Sequence, residues 1–225
     1  MSRVCEAEGM IGIDEVVHYT RSVRKRERFM DRPFVRQILR LCPDGGAILD
    51  VGTGPGQMPM MLAKARPDIK VHGVDMSANM LATARRGAAE AGVADRIDFR
   101  EADAKALPYP DHSFDMVVSH VMLHHADDPT VMLGEMMRVL KPGGRLLVKD
   151  IRRTPDWTIA PTARILGAFI RYTPEETRLY DESIRSAFTL KEIRAHVRRM
   201  PALRHARVRS VQGLWYTIEC VKGAL

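Results

Sequence analysis

Apolar and polar positions along this chain switch repeatedly between two periods. Short apolar runs, AILDV at 47–51, IKVHGVD at 69–75, FDMVVSH at 114–120 and RLLVKDI at 145–151, read as strands covered on both faces, as does RIDFREAD at 96–103. The stretches between them carry apolar residues three and four apart and read as helices. Residues 14–42 predict two helical pieces, with Asp31 and Pro33 placed to restart the second. Pro55 and Gly56 open a helix reaching about Arg66, Ser77 caps one that stops near Gly92, and Asp128 and Pro129 start the one before KPGG. Strand and helix in alternation predict an α/β fold, a doubly wound and mostly parallel sheet.

The last third reads differently. TPEE at 173–176 and TLKE at 189–192 are capping boxes, in which threonine and glutamate satisfy the first free amides of a helix. ARVRSV and LWYTIECV flank Gln212 and Gly213 and predict an antiparallel hairpin, which brings the sheet to seven strands. The expectation is a single domain over residues 1–225. It has N-terminal helices at 14–42, a core at 45–150, a helical insertion at 152–188, and a last helix with the hairpin at 189–225. In the insertion, Trp157, Ile159, Ile165, Leu166, Phe169 and Ile170 fall on or near one apolar stripe interrupted by Arg164 and Arg171. A lid over a binding site, a helix fixed on the sheet and a dimer contact all fit that stripe.

Composition narrows the class. At 225 residues, 45% hydrophobic and 28% charged, the chain can bury one full core. No run approaches the roughly eighteen uncharged apolar residues of a membrane span. MSRVCEAEGM carries acids where an export signal has an apolar core, so a cytoplasmic location is expected. Three scattered cysteines, Cys5, Cys42 and Cys220, argue against a disulfide framework or a zinc knuckle. The net charge of +7 is uneven: residues 1–150 hold 21 basic and 21 acidic side chains, and residues 151–225 hold 14 and 7. That excess reads as a solvated helix face or as a patch for an acidic substrate, nucleic acid or anionic membrane.

The candidate chemistry starts at ILDVGTGPG. Three glycines in five positions are costly in backbone entropy and mark a sharp bend or a close approach by a ligand. In an open parallel sheet, ligands bind at the carboxyl ends of the strands, which is where this loop falls. Asp75 ends the second strand 19 positions after Gly56, the place for a carboxylate that accepts from ribose hydroxyls. Asp103 follows the third strand and can meet an adenine amine. Both acids can also serve as helix caps. The glycines Gly52, Gly54 and Gly56 are one residue too tight for the dinucleotide pattern.

LDVGTGPG, GVDMSANML, EADAKALPYPDHSFDMVVS, HVMLHH and VLKPGGRLLV, in this order, resemble the class I S-adenosylmethionine-dependent methyltransferases. The resemblance is to the small-molecule group that includes the ubiquinone and menaquinone C-methyltransferases. It covers residues 45–150 well and the rest loosely, and it implies a Rossmann-like fold. It implies S-adenosylmethionine as cofactor and S-adenosylhomocysteine as product. Gly52 and Gly54 would face the methionine moiety, with Asp50, Thr53 and Gly56 in the same loop. Asp75 would hold the ribose, Met76 would stack on adenine, and Asp103 and Ala104 would hold its exocyclic edge. Ser119 or His120 would lie near the methionine amino group, and Tyr19 would close the cofactor from the N-terminal helix.

A sulfonium methyl is already electrophilic, so positioning in line is the main task. A weak acceptor also needs a base, and His124 and His125 are the candidates. Both also fit a packing role. No metal is expected, because His124, His125, Asp127 and Asp128 are neighbours on one loop and such neighbours rarely converge on an ion. The expected partner is a small, partly apolar acceptor that can carry an acidic group. An RNA methyltransferase using the basic C-terminal region is the alternative, although no N/D-P-P-Y/F motif is present. A cofactor-binding protein without methyl transfer is the other alternative. Sequence leaves the oligomeric state open.

Overall fold

The computed structural model describes residues 16, 19–21, 25 and 31–223. Of the first expected helical piece, Val16, Tyr19, Thr20, Arg21 and Lys25 are helical, and the rest lies outside the described residues. The second piece is α1, Arg32–Leu41, with Asp31 at its N-cap and Pro33 in its first turn. The core runs β1 (Ala47–Val51), α2 (Gln57–Ala65), β2 (Lys70–Asp75), α3 (Ala78–Glu90), β3 (Ile97–Glu101), β4 (Phe114–His120), α4 (Pro129–Val139) and β5 (Leu140–Ile151). Three helices follow, α5 (Asp156–Ile170), α6 (Pro174–Ser186) and α7 (Leu190–Arg198), and then β6 (Arg207–Val211) and β7 (Trp215–Val221).

The seven strands lie in the order β3-β2-β1-β4-β5-β7-β6. Pairings among the first five are parallel, and β7 runs antiparallel to both β5 and β6. The order reverses between β1 and β4, so a crevice opens at the carboxyl ends of those two strands. Each face of the sheet is covered. Phe34, Ile38, Leu62, Leu81 and Ala84 close one face over Ile48, Val71 and Met116. Leu133, Met136, Ile193 and Val197 close the other over Leu49, Val117 and Val148. Alternate residues of the central strands β1, β4 and β5 therefore meet apolar side chains on both sides, which is why these strands read as unbroken apolar runs.

Both capping boxes form as expected: Thr173 pairs with Glu176 and Thr189 with Glu192, each bond present in both directions. The insertion is two helices packed on each other and joined at Arg171, whose φ of 63° turns the chain back. Ile159, Ala163, Tyr180 and Ile184 form its inner face with Val121, Ile151 and Trp215.

Two expectations change. The fifth strand starts at Leu140, because the KPGG turn is folded into it. Phe114 pairs with Leu140, and pairing resumes at Met116 with Arg145. The Lys141 ammonium fixes that irregularity by binding Asp115 at 2.8 Å, and the Gly143 amide donates to Lys222 O at 2.8 Å. The apolar stripe of α5 also divides in two. Ile159 and Ile170 point into the fold, whereas Trp157, Ile165 and Phe169 are 81%, 73% and 66% exposed.

Candidate functional site

The crevice at the strand ends is built by three loops. The first leaves β1 through Gly52, Gly54 and Gly56, with φ of +75°, +54° and +75°, values that favour glycine. The amides of Gly52 and Thr53 both donate to Val74 O at 2.9 Å, which folds the loop over the end of β2. At Gly52 a Cβ would lie 2.2 Å from Met122 Cγ. At Gly56 it would lie 2.8 Å from Ala84 Cβ and 2.9 Å from Phe99 Cζ. Gly56 therefore lets α3 and β3 close on the loop, and it lines neither of the two crevice cavities described below.

Asp75 links the first loop to the second. One carboxylate oxygen accepts from the Gly54 amide at 2.8 Å, and the other accepts from the Ser77 amide at 2.9 Å. The Met76 amide also bonds to this carboxylate, which still has lone-pair capacity for a ligand. Burial raises the Asp75 pKa above the usual carboxylate range, and these amides pull it back down. Deeper in the same loop, Thr53 Oγ1 donates to Asp50 Oδ2 at 2.8 Å. Burial pushes Asp50 up to about 7, with the Thr53 bond opposing and the charge of Asp75 adding to the shift.

The third loop follows β4. Val121 has a φ of +57°, a strained conformation for a β-branched residue. Its amide donates a hydrogen bond to Lys149 O at 2.9 Å, and the chain leads into the single turn Leu123–His125. His124 is 1% exposed, and its Nδ1 lies 2.8 Å from Asp150 Oδ1. The backbone amides of His124 and Ile151 also donate to that carboxylate. The rings of His124 and His125 stand 4.2 Å apart, yet only His125 reaches the crevice.

Two adjoining cavities fill the crevice. The larger, about 110 Å³, takes in Tyr19, Gly52, Gly54, Asp75, Met76, Asp103, Ala104 and His125. The smaller, about 30 Å³, takes in Tyr19, Asp50, Gly52, Thr53, Gly54 and His120. His120 stacks on Phe34 with ring centroids 5.1 Å apart, and its Nδ1 is 3.7 Å from Asp31 Oδ1. Ser119 lines neither cavity. It is fully buried and donates to Val51 O at 2.9 Å, so it ties β4 to β1 and does not face the crevice. His124 also lines neither, being sealed against Asp150.

Sequence reasoning did not single out Met132 and Ser77 in the larger cavity or Asp31 in the smaller one as site residues. It also missed Asp150, although an acid at the end of β5 is the same signal that marked Asp75. Among the described residues, no group of three or more histidine, cysteine, aspartate or glutamate side chains is placed to hold a metal.

This architecture has relatives. Residues 49–148 match the methyltransferase domain family. The chain is 34% identical over 154 residues to the 27-O-demethylrifamycin SV methyltransferase of Amycolatopsis mediterranei, covering 68% of this chain and 53% of that protein. It is 38% identical over 148 residues to the demethylmenaquinone methyltransferase of Thermus thermophilus, covering 59% of this chain and 66% of that one. The matches thus span between half and two thirds of those relatives' lengths. The plantazolicin methyltransferase, solved with a monoazolic desmethylPZN analogue and S-adenosylhomocysteine, shares the fold at a TM-score of 0.72 and 15% identity, covering 94% of this chain and 91% of that one. The chain belongs to the class I S-adenosylmethionine-dependent methyltransferases, in the neighbourhood of the ubiquinone and menaquinone C-methyltransferases. S-adenosylmethionine is the cofactor of that family.

Asp50 supplies a pH test. The folded state holds its proton up to about pH 7, whereas the ordinary value is 3.8. The native protein thus binds more protons than the unfolded chain between those values, so stability falls as pH rises through that window. Urea unfolding at pH 4.5 and pH 8 should show this loss, and Asp50→Asn should flatten it. An unchanged slope in the variant would mean that Asp50 ionises normally in the fold.

Proposed function

We propose that this protein transfers a methyl group from S-adenosylmethionine to a small, partly apolar acceptor that can carry an acidic group. The observation that carries the reading is the double cavity at the β1–β4 reversal, with Asp75 braced between the first two loops. Its chemistry fits the cofactor from end to end. The larger chamber combines acids for hydroxyl and amine groups with apolar walls from Met76, Ala104, Met122 and Met132, as a purine nucleoside requires. The smaller chamber places Asp50 and His120 beside the glycine loop, where an amino-acid end with a positive charge would lie. The relatives are named for a demethylated rifamycin and a demethylated menaquinone, which supports a small acceptor over RNA.

When bound, S-adenosylmethionine supplies an electrophilic methyl on a sulfonium. The remaining work is positioning, which can lower a barrier by about 7–11 kcal/mol. In this reading Asp75 fixes the ribose, Met76 and Ala104 clasp the adenine, and the amides of the glycine loop set the distance. His124 has the form of a base, because Asp150 fixes its ring by accepting at Nδ1. It lies under the inner face of the insertion, so residues 152–188 act as a lid that must open for acceptor to reach it. Lys25 ties that lid to the N-terminal helix by donating to Glu176 and to Arg171 O.

Calorimetry with S-adenosylhomocysteine tests the cofactor half. Asp75→Ala loses a pair of charge-assisted hydrogen bonds, a loss of about 1.5–3 kcal/mol, and affinity should drop roughly ten- to a hundredfold. Wild-type affinity in the variant would contradict the role of Asp75. Tight binding of NAD with no response to S-adenosylhomocysteine would contradict the function. For the base, His124→Gln and Asp150→Asn should each slow methyl transfer at least tenfold while leaving S-adenosylhomocysteine binding nearly intact. If His125→Gln alone slows turnover, the base is His125, and unchanged rates in all three variants leave both histidines as packing residues.

A further inference from the structure

Two features outside the crevice adjoin each other. The first is the outer face of α5. Among the described residues, six large apolar side chains are strongly exposed, and three of them, Trp157, Ile165 and Phe169, lie on this helix. At 100° per residue they fall within an arc of about 120°, and Pro161 and Ala168 fill the gap between them. The second is a groove of about 720 Å³ that begins at the residues leading into α5. Its walls carry Arg152, Arg153, Lys191, Arg194 and Arg198, with Asp156 the one acid. Arg153 is nine-tenths buried there. It gives Nη2 to Glu192, while its Nη1 has no hydrogen-bond partner.

We propose that this combined surface docks on an anionic lipid bilayer. The groove receives phosphate headgroups, and α5 lies in the interface plane with Trp157, Ile165 and Phe169 among the first acyl carbons. A helix with aromatic and aliphatic side chains on one face and cations at its margin inserts about 5–10 Å in this way. No helix among the described residues is long and apolar enough to cross a membrane, which suits contact over insertion. Charge complementarity selects this occupant. A second copy would bring two arrays of five groove cations together, and a single-stranded RNA would find no aromatic side chain in the groove on which to stack. None of these side chains lines the two crevice cavities, so docking and cofactor binding are read out separately.

The chain has two tryptophans, and Trp215 is already buried at 2% exposure, so a change in emission on docking reports Trp157. Phosphatidylcholine vesicles with 30% phosphatidylglycerol should shift the emission to the blue and carry the protein upward in flotation, whereas pure phosphatidylcholine should do neither. Ile165→Ser with Phe169→Ser should weaken partition at least tenfold. Lys191→Glu with Arg194→Glu should weaken it as much and also remove its salt dependence. S-adenosylhomocysteine affinity should be unchanged in both variants, which controls for folding. Several results would overturn the proposal. They are no flotation with anionic vesicles, partition indifferent to both variants, a blue shift with an oligoribonucleotide and not with vesicles, or a dimer that the Ile165 and Phe169 changes dissociate.

Discussion

The site depends on one half-buried carboxylate. Asp75 ends β2 and accepts the Gly54 amide on one oxygen and the Ser77 amide on the other. Those two bonds hold the glycine loop and the start of α3 to a common point. Burial alone disfavours the charge on Asp75, and the amides restore part of what burial takes away. The glycines follow from this brace. Gly54 must bring its amide within hydrogen-bond reach, Gly52 must clear Met122, and Gly56 must let α3 and β3 come close behind. The two cavities then meet at Gly52 and Gly54 of one short loop.

The same economy appears after β4, where Asp150 holds the backbone and ring of His124 together. Strain at Val121 is tolerated because the carboxylate and the Lys149 carbonyl fix the residues around it. The insertion covers this loop with its inner face and shows a different apolar face to the outside. One helix thus serves two surfaces, which is why its apolar content exceeds what either surface needs.

Much of this was legible in the chain. Apolar runs marked the strands, because burial on both faces leaves an unbroken apolar run, and Asp75 and Asp103 stood out as acids at strand ends. The capping boxes were legible because both partners lie within four residues. The packing partners of Gly56 and Ser119 were not legible because they are remote in sequence: Ala84 and Phe99 for the glycine, Val51 for the serine. His124 and His125 are adjacent and chemically alike, so only the three-dimensional path of one tight turn separates them. The α5 stripe merged two faces because a helix apolar on most sides has no single period to read.

The central claim is that one cofactor spans both chambers across Gly52 and Gly54, with Asp75 in the larger one. A crystal structure of the protein with S-adenosylhomocysteine tests it most directly. The account predicts both ribose hydroxyls on Asp75, the purine between Met76 and Ala104, and the amino group turned toward Asp50. A nucleoside bound elsewhere, or a ligand that leaves Asp75 in contact with backbone amides alone, would contradict it.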